Sequence, residues 1–257
     1  MSDTPAVTNP LLARLRAGER CVNGWLMLAD AFAAEVMATA PWHSLTVDVQ
    51  HGMHDYRSAV AALQAVGRHG PTMLARVPVN EPGMVGKLLD AGFWGIICPM
   101  VNDADDARRL VAACLYAPDG ERSNGPLRAA LHAGPGYQAS ANREVLVLPQ
   151  VETATAVDNL DAILDVPGVG GVYVGPSDLC LTMGMSPAFD QDEPVLMEIF
   201  ARIVAATAKR GQVAAIHTRA PAYARRMFDM GFNLVTVGSD VGGLAESAHR
   251  TLAALRG

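Results

Sequence analysis

Lysine is almost missing from this chain: Lys87 and Lys209 are the only two in 257 residues, against eighteen arginines. Aromatic residues are few, at 5%, and a net charge of −6 carries no basic stripe, which argues against a nucleic-acid partner. No run of about 18 uncharged apolar residues occurs. The N-terminus lacks the basic, apolar, small-residue order of a secretory leader. The expectation is a cytoplasmic protein with no membrane partner. Cysteine is sparse and scattered: Cys21, Cys98, Cys114 and Cys180 form no C-x-x-C pair. They suit neither a zinc knuckle nor a disulfide framework and read as reduced, buried thiols. No linker, low-complexity segment or internal repeat interrupts the chain, so a single domain over 1–257 is expected.

Half of the residues are hydrophobic, enough for a large core, and the length suits one α/β barrel. Short β-rich runs fall at 22–29, 44–50, 72–77, 95–100, 144–152, 171–176, 212–218 and 234–239. Between them lie helical patterns near 31–40, 55–69, 81–91, 103–117, 153–164, 193–210, 219–231 and 242–256, with an extra N-terminal helix over 8–18. Asn80-Glu81-Pro82 reads as a helix start, while Gly92, Gly211 and Gly231 sit where helices stop. Alternating β and α units with near-continuous apolar strands predict a parallel sheet covered on both faces. Eight units close into a (β/α)₈ TIM barrel; an open doubly wound sheet is the alternative. Two long connections, 118–143 and 177–192, are both taken to follow strands and so to shape the C-terminal face.

That face carries the chemistry of such barrels. Polar residues predicted there are Asp48, Gln50, His51, Arg76, Gln150, Glu152, Ser177, Asp178, His217 and Asp240. Leu148, Gln150 and Glu152 share one strand face, as do Thr72, Leu74 and Arg76. Two carboxylates, Glu152 and Asp178, meeting at one mouth need a cation between them. Oxygen donors without cysteine suit Mg²⁺, Mn²⁺ or a similar divalent ion, with Co²⁺ and Zn²⁺ as further candidates. The other reading has each carboxylate capping a helix or pairing with arginine. In GPSDL, the N–H groups of Ser177 and Asp178 are placed to take carboxylate or phosphate oxygens. Arg76 suits a substrate oxyanion, or alternatively a structural bridge to Asp48 or Glu152. His51 with Asp48 resembles a base held by a carboxylate, or else His51 is a surface-loop histidine. His54, at a helix start, ranks below it.

A divalent metal and an arginine would together stabilise the enolate of a 2-oxo acid. The other route, a lysine Schiff base, is nearly excluded, because neither Lys87 nor Lys209 falls at a strand's C-terminal end.

VDVQH at 47–51, LARVPVNEP at 74–82, LLDAGFWGIICPMV at 88–101, PQVET at 149–153 and VGPSDL at 174–179 resemble the HpcH/HpaI family of class II pyruvate aldolases. The resemblance covers nearly the whole chain in order. It implies a (β/α)₈ barrel, a homohexamer (a trimer of dimers) with an exchanged C-terminal helix, and addition of pyruvate or hydroxypyruvate to an aldehyde. By position it implies Glu152 and Asp178 as metal ligands and His51 as the acid–base residue oriented by Asp48. Arg76 would hold the enolate, and the Ser177 and Asp178 amides the carboxylate. Gln150 would stand beside the substrate and Trp25 would line the pocket. Asp90 and Arg122 match positions that influence the aldehyde partner from a neighbouring subunit. Gln50 departs from the family's common glutamate, which puts substrate preference in doubt. Two other readings stay open: a citryl-CoA-lyase-like enzyme, and a phosphate-sugar-binding barrel using Gly238-Ser239 and Gly242-Gly243.

Overall fold

Eight parallel strands pair in chain order and close on themselves, β1 against β8. They are β1 (Cys21–Leu26), β2 (Ser44–Asp48), β3 (Thr72–Arg76), β4 (Gly95–Cys98), β5 (Leu146–Val151), β6 (Gly171–Val174), β7 (Val213–His217) and β8 (Leu234–Ser239). The computed structural model describes residues 7–256, so the two ends of the expected 1–257 domain lie outside the described residues. The helices are α1 (Pro10–Arg16), α2 (Ala31–Ala38), α3 (Tyr56–Val66), α4 (Pro82–Ala91), α5 (Ala104–Cys114), α6 (Leu127–Ala133) and α7 (Tyr137–Glu144), then α8 (Ala154–Asp158), α9 (Leu160–Leu164), α10 (Pro176–Thr182), α11 (Pro194–Arg210), α12 (Pro221–Met230) and α13 (Asp240–Arg256). The barrel, rather than the open sheet, is the architecture. Among the described residues no helix is long and apolar enough to cross a membrane.

The strands read as continuous apolar runs because both faces are buried. Leu74, Ile97, Leu148, Tyr173, Ala215 and Leu234 fill the barrel, while Leu45, Val47, Ala75, Ile96, Val172 and Ile216 point outward under the helices. The expected N-terminal helix is α1, whose Leu11, Leu12 and Leu15 join the interior cluster and plug one end of the barrel. Asn9 caps it, its side chain accepting from the N–H groups of Leu11 and Leu12. Gly92, Gly211 and Gly231 end α4, α11 and α12 in the left-handed conformation, as their placement predicted.

Part of the barrel interior is polar, and its hydrogen bonds form a chain. Ser44 and Thr46 donate to Asn23 Oδ1, and the Asn23 amide donates to Thr236 Oγ1 at 2.9 Å. The Tyr173 hydroxyl lies 2.7 Å from Thr236 Oγ1 and 3.0 Å from His217 Nδ1.

Two expectations are corrected. Segment 118–143 does not lie on the C-terminal face: it leads from the end of α5 into β5, so it packs at the N-terminal end, and it holds α6 and α7. The error lay in treating an αβ connection as a βα one. Similarly, 177–192 is only partly a loop, because α10 starts at Pro176 directly after β6. Helix α13 lies almost bare: residues 241–256 are all exposed, with Leu244 66% and Leu255 79% accessible.

Candidate active site

Register brings the first group together. β2 and β3 pair so that Asp48 stands opposite Arg76. Arg76 donates to both carboxylate oxygens, Nε to Oδ1 at 2.9 Å and Nη2 to Oδ2 at 2.6 Å. Trp25 Nε1 and the backbone N–H groups of Gln50 and His51 complete five N–H donors to one fully buried carboxylate. Burial alone would raise the Asp48 pKa; the Arg76 guanidinium, Trp25 and the His51 N–H outweigh it and hold the group below the ordinary carboxylate range. The Arg76 guanidinium lies over the Trp25 ring, 4.9 Å from its centroid.

This corrects one expectation about the dyad. Asp48 receives the backbone N–H of His51, not its imidazole, because the chain turns at Gln50 and points successive amides back at the carboxylate. The His51 side chain is exposed. Asp48 therefore positions Arg76 and the 50–51 turn, and the arginine bridge weighed from sequence is real.

A second group forms where β5 and β6 end. Glu152 is 2% exposed; its Oε1 accepts the Met100 N–H at 2.7 Å and its Oε2 accepts from the Gln150 amide. Met100 is the one described non-glycine residue with positive φ, +55°. That left-handed backbone, uncommon for a methionine, aims the N–H at Glu152 and is the kind of strain that collects at sites. Among the described residues no arginine, lysine or histidine forms an ion pair with Glu152. Burial first, then repulsion from Asp178, drives its pKa up to about 7 against the opposing pull of the Met100 N–H, Arg76 and Gln150.

Asp178 and Ser177 are half-buried in the first turn of α10. That helix has no side-chain cap, so the N–H groups of Ser177 and Asp178 are open donors. Gly175 precedes them, packed against the acidic side chain: a Cβ there would stand 2.7 Å from Glu152 Oε2 and 2.6 Å from Gln150 Nε2.

The donor set fits a hard divalent cation. It offers a buried carboxylate without a cationic partner, a second carboxylate beside it, and the Gln150 Oε1, buried and unpartnered. Among the described residues no group of three His, Cys, Asp or Glu side chains surrounds an ion position, so the remaining ligands must come from water and substrate. The phosphate alternative fits worse. Ser239 Oγ accepts the Gly242 N–H, and the Asp240 carboxylate takes the N–H groups of Met27, Leu28 and Val241, leaving negative charge where phosphate would sit.

The sequence profile of the HpcH/HpaI aldolase/citrate lyase family matches residues 23–247. The chain belongs to that family. A hydroxypyruvate/pyruvate aldolase of Roseovarius nubinhibens is 41% identical, covering 98% of each chain. A 5-keto-4-deoxy-D-glucarate aldolase of Klebsiella pneumoniae is 33% identical over 98% of each. The crystal structure of an HpcH/HpaI aldolase/citrate lyase family protein from Burkholderia cenocepacia superposes with a TM-score of 0.90. It is 32% identical and is matched over 97% of this chain and all of that one.

In this HpcH/HpaI member, Asp90 and Arg122 pair with each other at 2.6 Å. Asp90 lies in the last turn of α4, at the N-terminal end of the barrel, so the pair does not join the mouth within the chain. Two residues outside the set predicted from sequence stand out in the geometry. His54 is buried, with neither ring nitrogen partnered; burial lowers its pKa against the opposing charges of Asp240, Asp48 and Asp55. Met100 carried no sequence signal at all, since nothing in its side chain announces a left-handed backbone.

Proposed function

We propose that the protein is a divalent-metal-dependent aldolase that adds pyruvate or hydroxypyruvate reversibly to an aldehyde. The observation that carries this is Glu152: a carboxylate buried at a barrel's C-terminal end, without a cationic partner, and near enough to Asp178 to feel its charge. Glu152 and Asp178 would hold the ion, which when bound supplies Lewis acidity to the donor and offsets charge as the enolate forms. The chain's own groups do the rest. The open amides of Ser177 and Asp178 take the donor's carboxylate. Arg76, locked by Asp48 and Trp25, aims its remaining N–H at the developing enolate oxygen without reorganising. His51, exposed at the mouth and tethered by its backbone, moves the proton. Trp25 forms a wall, and Gln150 fixes the Glu152 carboxylate.

Likeness to a hydroxypyruvate/pyruvate aldolase and a 5-keto-4-deoxy-D-glucarate aldolase supports a small 2-oxo acid donor here rather than a CoA thioester. We place the protein in the cytoplasm, a reading that its four free, buried cysteines suit. We also propose a homo-oligomer, a hexamer built as a trimer of dimers, in which a second copy covers the apolar side of α13, marked by Val241, Leu244, Leu252 and Leu255. The test is aldol addition of pyruvate and of hydroxypyruvate to a panel of aldehydes, before and after chelation, with Mg²⁺, Mn²⁺, Co²⁺ or Zn²⁺ restored. Activity that survives complete chelation refutes the mechanism; turnover of a CoA ester alone favours the citryl-CoA-lyase reading.

A further inference from the structure

His217 ends β7 at the mouth and holds none of the roles assigned above. Its ring stands edge-on to Trp25, with centroids 4.8 Å apart, and 5.0 Å from Phe189 of the loop after α10. Nδ1 meets the Tyr173 hydroxyl at 3.0 Å. Nε2 has no partner among the described residues and is not fully buried, at a strand end that opens on the barrel mouth.

Counting protons along the interior chain fixes the tautomer. Asn23 Oδ1 is occupied by Ser44 and Thr46, and the Asn23 amide donates to Thr236 Oγ1. The bond between the Thr236 and Tyr173 hydroxyls, 2.7 Å long, can run either way, and among the described residues the Tyr173 oxygen is the side-chain partner left for the buried Thr236 proton. Tyr173 must in turn give its proton to His217 Nδ1. Reversing the Tyr173–Thr236 bond would leave the Thr236 proton without an acceptor inside the barrel, which buried donors avoid. The ring's own proton therefore sits on Nε2. Burial, reinforced by the charge of Arg76 and only partly opposed by Asp48, pushes the His217 pKa down to about 3, so the ring stays neutral.

We propose that His217 is a specificity-determining residue, whose Nε2–H donates to a hydroxyl oxygen of the aldehyde and selects α-hydroxyaldehydes over their deoxy analogues. This rests on the aldolase reading. There the 2-oxo acid engages Arg76 and the α10 amides, which leaves the wall of Trp25, His217 and Phe189 to the second substrate. One neutral donor between aromatic faces suits a neutral oxygen flanked by C–H groups; a carboxylate would call for a cation.

Glycolaldehyde and propanal differ by a hydroxyl for a methyl and make the probe pair, with pyruvate as donor. The quantity read is the ratio of their kcat/KM values; hydration of each free aldehyde is common to all variants and cancels. His217→Leu is expected to lower the glycolaldehyde-to-propanal ratio by about 3- to 10-fold, the range of one neutral hydrogen bond. His217→Gln, which keeps an N–H donor, should restore most of it. If the leucine variant does not fold, His217→Phe keeps the ring packing without the donor and should show the same loss. An unchanged ratio in a folded leucine or phenylalanine variant overturns the proposal. So does a loss of discrimination between hydroxypyruvate and pyruvate in its place. Wild-type protein without metal-dependent addition to either aldehyde refutes the aldolase reading itself, and is separable because it needs no variant.

Discussion

Gly175→Ala tests the placement of Glu152 and of the Gln150 amide that holds it, without changing either side chain. The backbone at Gly175, φ −103° and ψ 89°, is open to alanine, so the effect is steric alone. The added methyl would stand 2.6 Å from Gln150 Nε2, 2.7 Å from Glu152 Oε2 and 3.0 Å from Glu152 Cβ, where ordinary contacts begin at 3.4 Å. The Glu152 carboxylate must retreat by about 0.7 Å, beyond the roughly 0.5 Å within which a ligand constellation holds its geometry. It cannot retreat freely, because Met100 N–H and Gln150 grip both of its oxygens. Overpacking of this kind destabilises by about 1–3 kcal/mol. Disturbing the setting of a metal ligand typically weakens affinity about 10- to 100-fold. Calorimetric titration of chelator-stripped protein with Mn²⁺ reads the affinity, and thermal denaturation reads the fold. Gly86→Ala is the control: it lies within α4, has nothing within 4 Å of the new Cβ, and should leave Mn²⁺ binding as it was. A folded Gly175→Ala variant that binds Mn²⁺ as wild type does would refute the assignment of Glu152 as a ligand.

Asp48→Asn should destabilise the fold by about 3 kcal/mol, since it leaves the Arg76 guanidinium, 11% exposed, without its counter-charge. Because Asp48 titrates below its ordinary value when folded, its contribution is present at neutral pH and is lost as pH falls below about 4. Chemical denaturation from pH 7 to pH 3 should therefore show the wild-type advantage shrinking only at the acid end, and a constant difference across that range would contradict the pairing. Charge on the bare face of α13, as in Leu244→Glu with Leu252→Glu, should leave the barrel folded but split the assembly, read by light scattering. Borohydride added with pyruvate should leave no reduced adduct by mass spectrometry. Lys87 rests over the Tyr56 ring on the outer helices and Lys209 sits in the last turn of α11, both away from the mouth.

What could be read in the sequence follows from what kind of information each feature needs. The barrel depends on local periodicity, and apolar runs such as 95–100 and 171–176 announce a doubly covered strand regardless of their neighbours. The spacing of Gln150 and Glu152 places both side chains on one face by the two-residue strand repeat, which is again local. By contrast, the Asp48–Arg76 bridge depends on the register of β2 against β3, and no residue in either strand states it. Segment 118–143 is harder to read on both counts: its Gly and Pro mask α6 and α7, and its place between α5 and β5, which sets it at the N-terminal end, depends on where α5 stops.

Residues that bear on chemistry were hardest to see where their meaning is relational. His51 and His54 lie three apart, yet one is exposed and the other buried without partners, and that difference is made by the turn after Asp48. His217 looks like any strand-end histidine until Asn23, Thr236 and Tyr173 are found to link it by hydrogen bonds to the barrel's polar interior. Glu152 shows the same dependence most sharply. Its lack of a cationic partner arises because Asp48 has already claimed Arg76, a nearby arginine that could have neutralised it. In the proposed aldolase, the pairing that stabilises one side of the mouth would thus be what leaves a place for a divalent ion on the other.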